Sequence, residues 1–175
     1  MPTVYSATMS LDGYIAGPGG DMSWLTEHLG EPNPTAVRLL DRVGCLLVGG
    51  ATHRGDDPNA GTEAEGAFGG QYDGPVVVLT SAQPPAGPVG GVVFSSELHD
   101  AVARAKALAG DRYVNVLGAT TARSCLDAGL LDQVLLLVAP VLLGAGVRVL
   151  DRPGHPPVRL ERLPGETEHW YRIAG

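Results

Sequence analysis

The chain has 175 residues and a net charge of −7, with 12 basic and 19 acidic side chains. An acidic chain of this size holds one real core and lacks the clustered Lys/Arg needed for nucleic acid or an anionic membrane. It has no basic-then-apolar start and no apolar run of about 18 residues, so a cytoplasmic protein is expected. The charge is uneven: residues 1–88 carry three cations against ten acids, and residues 89–175 carry nine of each.

Thr3–Ser10 reads as a first strand, followed by a glycine-rich loop over Asp12–Gly20. Pro34–Val43 reads as a short helix, with Pro34 in its first turn and Val37, Leu40 and Val43 on one face. Gly44–Gly50 is a continuous apolar run between glycines, which suits a parallel strand covered on both faces. Arg54–Gly74 has few apolar anchors and is expected to be a long mobile loop. Pro75–Thr80 and Val89–Ser95 read as two more strands. Ser96–Ala109 reads as a helix capped by Ser95 or Ser96, with Leu98, Val102, Ala105 and Leu108 as its stripe and Gly110 as its stop.

Tyr113–Leu117 is a predicted strand, Ala119–Ala128 a helix ended by Gly129, and Gln133–Val141 a further strand. Val158–Leu163 and Glu166–Ile173 form a predicted hairpin around Pro164-Gly165. Alternating strands and helices predict an α/β fold with a mostly parallel sheet and an antiparallel edge. No linker or repeat divides the chain, so one domain over residues 1–175 is expected.

Ligands of open α/β sheets bind beyond the carboxyl ends of the strands, near helix N-termini. Three turns have the composition for this: Gly49-Gly50-Ala51-Thr52, Thr80-Ser81, and Gly118-Ala119-Thr120-Thr121. Each offers backbone N–H groups, small side chains and hydroxyls, and together they can hold a diphosphate without a lysine. A P-loop is absent because Ala105 precedes Lys106, the single lysine. A GxGxxG fingerprint and a GxSxG elbow are absent as well. The five histidines show no metal-ligand pairing, so no metal is expected. Cys45 and Cys125 have no CxxC partner and read as buried, reduced thiols. Asp12, Trp24 and His53 are the candidate chemical side chains. Asp12 reads either as a turn former or as a residue that orients a substrate or holds its loop over the cofactor, Trp24 as a core or pocket aromatic, and His53 as a solvated loop histidine or a neighbour of a nucleotide turn.

Ser10-Leu11-Asp12-Gly13-Tyr14-Ile15-Ala16 resembles the SxDGxIA signature of the dihydrofolate reductase-like superfamily. Ala128-Gly129-Leu130-Leu131-Asp132-Gln133 and Pro140-Val141-Leu142-Leu143-Gly144-Ala145-Gly146 resemble later blocks of the reductase domain of riboflavin-biosynthesis deaminase-reductases and its stand-alone relatives. The resemblance implies a three-layer α/β/α fold around a mixed, mostly parallel sheet of about eight strands, with a C-terminal antiparallel hairpin. It implies NADPH across the strand ends, with NADH as the alternative. Ala7 and Ile15 would face the nicotinamide, and the three turns would hold ribose and phosphates.

The chain departs from the pattern at Gly50, where the family often has an arginine for the 2′-phosphate, and at Leu117, where the late turn usually has glycine; either Arg54 of the same loop compensates or the preference for NADPH over NADH is weak. Gln133 replaces a glutamate, and no zinc-deaminase motif is present. The expected activity is NADPH-dependent hydride transfer to a C=N or C=O group of a pterin- or pyrimidine-like heterocycle. The five acids of Arg54–Gly74 tilt this away from strongly anionic substrates, although Arg148 and Arg152 follow the Gly144–Gly146 turn and can reach a pocket. The alternative is a non-catalytic or degenerate protein on the same fold that binds a nucleotide or another small ligand. Relatives are often dimers, and the apolar strand Gln133–Val141 with its neighbours offers a surface for a homodimer.

Overall fold

The computed structural model describes residues 1–28, 33–55, 67–82, 90–164 and 169–174. Its strands are β1 (Thr3–Ser10), β2 (Tyr14–Ala16), β3 (Val43–Gly49), β4 (Val76–Leu79), β5 (Val92–Ser95), β6 (Tyr113–Leu117), β7 (Gln133–Ala139), β8 (Val147–Arg148), β9 (Leu160–Arg162) and β10 (His169–Ile173). The helices are α1 (Pro34–Leu40), α2 (Gly50–Arg54), α3 (Leu98–Ala109) and α4 (Ala119–Asp127), with 3-10 turns at Pro18–Gly20 and Ser23–His28.

Eight strands form one sheet in the order β5-β4-β3-β6-β1-β7-β10-β9, and β2 pairs with β8 in a separate two-stranded ribbon. The six strands from β5 to β7 are parallel. The last two, β10 and β9, run antiparallel, as the terminal hairpin pattern predicts. Residues 165–168 of that predicted turn lie outside the described residues.

Alternation along the strands divides the core in two. On one face Tyr5, Cys45, Leu47, Val77, Val114, Val116 and Val134 pack against Ala101, Val102 and Ala105 of α3 and against Ala122 and Cys125 of α4. On the other, Val4, Val43, Leu46, Val48 and Leu135 pack with Leu39 of α1 and with Trp170 of β10. Trp170 is wholly buried, and its indole N–H donates to Gln133 Oε1 at 2.9 Å. The Arg42 guanidinium lies 5.3 Å from its ring centroid. Both cysteines are free and buried, and burial pushes each thiol up to about 11.

Several local expectations need correction. α1 buries Thr35 and Leu39, while Val37 is exposed and Val43 belongs to β3, so the helix presents a different face from the one its apolar residues suggest. Asn33 caps it through Oδ1, which accepts from the N–H groups of Thr35 and Ala36. α3 is capped by Glu97, which accepts from Asp100 N–H, and not by a serine. Its stripe runs through Ala101, Val102, Ala105 and Ala109, and Leu108 is exposed. The stretch read as one long loop starts at the last residue of α2, and its far end is anchored: Phe68 and Tyr72 pack on the core cluster around Leu39 and Trp170. Residues 56–66 lie outside the described residues. β7 is paired on both sides, with β1 and β10, so it has no free edge for a second subunit.

Candidate active site

The parallel strands place the ends of β1, β3, β4, β6 and β7 along one rim, and the three small-residue turns meet there. Gly49 ends β3 and caps α2, so Gly50, Ala51 and Thr52 form the helix's first turn. Gly118 follows β6 and caps α4 at φ +95°, a conformation that favours glycine. A Cβ built on Gly118 would run into the Thr52 hydroxyl. A Cβ on Gly49 would stand 2.5 Å from the Thr121 hydroxyl. A Cβ on Gly50 would stand 2.6 Å from the Thr80 hydroxyl and 3.1 Å from Arg54 Nη1. The glycines are therefore what allows three turns to close into one cradle lined by Thr52, Thr80 and Thr121. Leu117 is half-buried at the end of β6, Ala119 and Thr120 open α4, and Ser81 is exposed just past Thr80.

Ala7 lies on β1, half-buried, on the same sheet face as Tyr5. The opposite face of this strand carries the half-buried hydroxyl residues Ser6 and Thr8. Ile15 is the middle residue of β2, held beside the rim by the pairing of β2 with β8. Arg148 of β8 lies 4.8 Å from the Tyr14 ring centroid.

Asp12 ties these loops together. Its Oδ1 accepts from Ser10 Oγ at 2.6 Å and from Leu143 N–H at 3.1 Å, and its Oδ2 accepts from Gly144 N–H at 2.7 Å. Leu11 N–H adds a bond to Val141 O at 2.8 Å. The Ser10 hydroxyl first, and then the two backbone N–H groups, hold the Asp12 carboxyl down at about 2 against opposing desolvation. A carboxylate so engaged accepts hydrogen bonds and has no proton to give at neutral pH.

Trp24 sits in the 3-10 turn Ser23–His28, half-buried, with its ring 6.2 Å from that of His28. Its indole N–H is buried and has no hydrogen-bond partner among the described residues. His53 is exposed on α2 and meets Phe94 of β5 edge-on, with ring centroids 5.8 Å apart. Since β5 is four strands from β1, about 19 Å at ordinary strand spacing, His53 is not brought to Asp12.

Other charged groups are also placed. Arg152 is bound to Asp127 at the end of α4, with Nη2–Oδ1 at 2.8 Å, so its charge is spent away from the rim. Of the five acids in Arg54–Gly74, Asp73 lies before β4, at the opposite end of the sheet, and Asp56, Asp57, Glu63 and Glu65 lie outside the described residues. Among the described residues no three His, Cys, Asp or Glu side chains gather as a metal site, and no helix is long and apolar enough to cross a membrane.

Sequence reasoning missed α2 and the Ser10 and Gly144 ends of the Asp12 network. The visible signal for α2 was its Gly-Gly-Ala-Thr start directly after an apolar strand.

The family described as the RibD C-terminal domain matches residues 3–167. The chain belongs to this family. No curated protein matches it by sequence. Among solved structures, a Shewanella sp. PV-4 protein named for riboflavin biosynthesis has a TM-score of 0.64 and 24% identity, covering 99% of this chain and 97% of that one. The Thermotoga maritima diaminohydroxyphosphoribosylaminopyrimidine deaminase/5-amino-6-(5-phosphoribosylamino)uracil reductase has a TM-score of 0.56 and 19% identity, covering 98% of this chain and 55% of that one. Dihydrofolate reductase from Enterococcus faecalis, in complex with NADP(H), has a TM-score of 0.55 and 13% identity, covering 98% and 92%. The fold of this RibD C-terminal domain protein is thus dihydrofolate reductase-like. A side chain at Gly49, Gly50 or Gly118 would collide with the hydroxyl of Thr121, Thr80 or Thr52, so these glycines let the three turns pack against one another at the rim.

Proposed function

We propose that this RibD C-terminal domain protein is an NADPH-dependent reductase that delivers hydride to a C=N or C=O group of a small pterin- or pyrimidine-like heterocycle. The observation that carries this reading is the meeting of Gly49–Thr52, Thr80 and Gly118–Thr121 at one rim. Family membership and the NADP(H)-bound dihydrofolate reductase of the same fold support it.

Gly118, Ala119, Thr120 and Thr121 would hold the diphosphate through α4's first N–H groups. Gly49, Gly50, Ala51, Thr52, Thr80 and Ser81 would hold the adenosine side, and Ala7 and Ile15 the nicotinamide. Bound there, NADPH supplies the hydride. The chain sets position and dryness. Asp12 fixes the loop that presents Ile15, Trp24 closes the pocket with a free indole donor, and Ser6 and Thr8 offer neutral hydroxyls to a polar ring. The hydride goes to carbon and a proton to the substrate nitrogen or oxygen. That proton comes from water, because Asp12 stays ionised.

A second reading, nucleotide binding without turnover, draws on the same Asp12 bonds, since the site then has no side-chain acid. Calorimetric titration with NADPH and NADH, followed by a cofactor-oxidation screen over pterins and cyclic imines, tests both. Binding with turnover is expected. No binding up to millimolar NADPH overturns the proposal, and binding without turnover on any substrate class favours the second reading.

A further inference from the structure

Asn115 stands in the middle of β6, between β1 and β3 at the centre of the sheet. Val114 and Val116, on either side of it, belong to the layer packed on α3 and α4, so Asn115 faces the opposite layer with Tyr113 and Leu117. Its register neighbours are Val4 of β1 and Leu46 of β3, both in that layer. The residue is wholly buried, and among the described residues neither its Oδ1 nor its Nδ2 has a hydrogen-bond partner.

An amide carries two N–H donors and an acceptor oxygen, and burying it unpaired is costly. The same layer holds a second buried amide, Gln133, whose Oε1 accepts from Trp170 N–H. Asn115 is therefore the exception, in a strand whose flanking valines show what this core accepts. β6 and β1 run parallel toward the rim, and the next residues along them on the same face are Leu117 and Ser6, both half-buried, with Thr8 beyond. Ser6 and Thr8 are the hydroxyls offered to the substrate ring, so the orphaned amide lies at the foot of that pocket.

We infer that Asn115 determines substrate specificity by pairing with a ring edge that sets an N–H donor beside a C=O acceptor, as in a lactam. The inference rests on the proposed reductase reading and goes beyond it by naming the ring edge that is read and the residue that reads it. A ring entering over Ser6 reaches the amide once Leu117 turns aside. Asn115 Oδ1 then accepts from the ring N–H, and Nδ2 donates to the ring carbonyl, the two-point pairing asparagine makes with donor–acceptor edges. A ring without that edge leaves the buried amide unpaired, so it is rejected more strongly than an apolar pocket would reject it.

The test is equilibrium binding by calorimetry on the full chain, with and without NADP+, and with NADPH titrated separately. The probes are quinazolinone, a bicyclic lactam, and quinazoline, the same ring system without the lactam. In the wild type quinazolinone is expected to bind about tenfold tighter or more, the size of hydrogen bonds left unmade in a buried site. Asn115→Val, which removes the amide and suits a strand, is expected to bring the two within about threefold by weakening quinazolinone alone. Melting temperature and NADPH affinity are expected to hold. Asn115→Thr, of near-equal volume, repeats the measurement. Equal affinities in the wild type, as for an amide bonded only to trapped water, or a preference that survives both substitutions, overturn the inference. A collapse of melting temperature in both variants overturns it as well, because the amide is then a prop of the fold. In each of these cases NADPH binding leaves the cofactor reading standing, and only its absence in the wild type overturns that reading.

Discussion

Gly118 and Asp12 each hold one side of the rim, by opposite means. Gly118 works by having no side chain. Gly118→Ala would strain a residue at φ +95° by about 1–3 kcal/mol and push its Cβ into Thr52. A fall in melting temperature together with a loss of NADPH affinity is the expected outcome. Gly129→Ala is the control: Gly129 has φ +68° but open space around it, so only stability should fall. Asp12 works through charge. Its carboxyl is held at about 2, below the ordinary value of about 3.9, so the folded state favours the ionised form. The stabilisation is therefore complete above pH ~5 and is lost as pH falls from about 4 towards 2. Asp12→Asn lacks this component, because its amide nitrogen cannot accept from Gly144 N–H. Melting temperatures of wild type and Asp12→Asn, measured from pH 7 downward, should converge across that window. A constant difference down to pH 2 would remove the ionic role.

The elements show which parts of a fold a sequence can announce. β3, β4, β6 and β7 are readable because buried parallel strands are continuous apolar runs. α2, β2 and β8 have five, three and two residues, too few for any period to register, and contacts with distant chain define them. The site was legible to the same extent: its three turns could be read as composition, whereas the touch of Thr52 on Gly118 needs α2. α1 shows a further limit. Its more apolar stripe suggests burial of Val37, yet neighbouring elements select Thr35 and Leu39. The contrast is measurable. Leu39→Ala should cost about 2–5 kcal/mol by urea unfolding and Val37→Ala within about 0.5 kcal/mol. Equal costs would mean that the helix packs otherwise.

At the scale of the molecule the sheet has two ends with different work. The carboxyl ends carry the glycine turns and the Asp12-tied loops. The amino ends carry a cavity of about 320 Å³ lined by Asp41, Tyr72, Asp73 and Arg112, where Arg112 donates to Asp41 O and Tyr72 to Pro75 O. The edges are β5 and β9, so strand pairing between copies would use one of these. The chain's two tryptophans divide along the same lines. Trp170 is sealed in the core with its indole bonded to Gln133, and Trp24 is half-buried with a donor that no described residue satisfies. This gives the protein a built-in optical pair. Trp170 is expected to supply a blue, iodide-resistant emission that follows the integrity of the fold, and half-buried Trp24 a second emission that reports on the turn Ser23–His28.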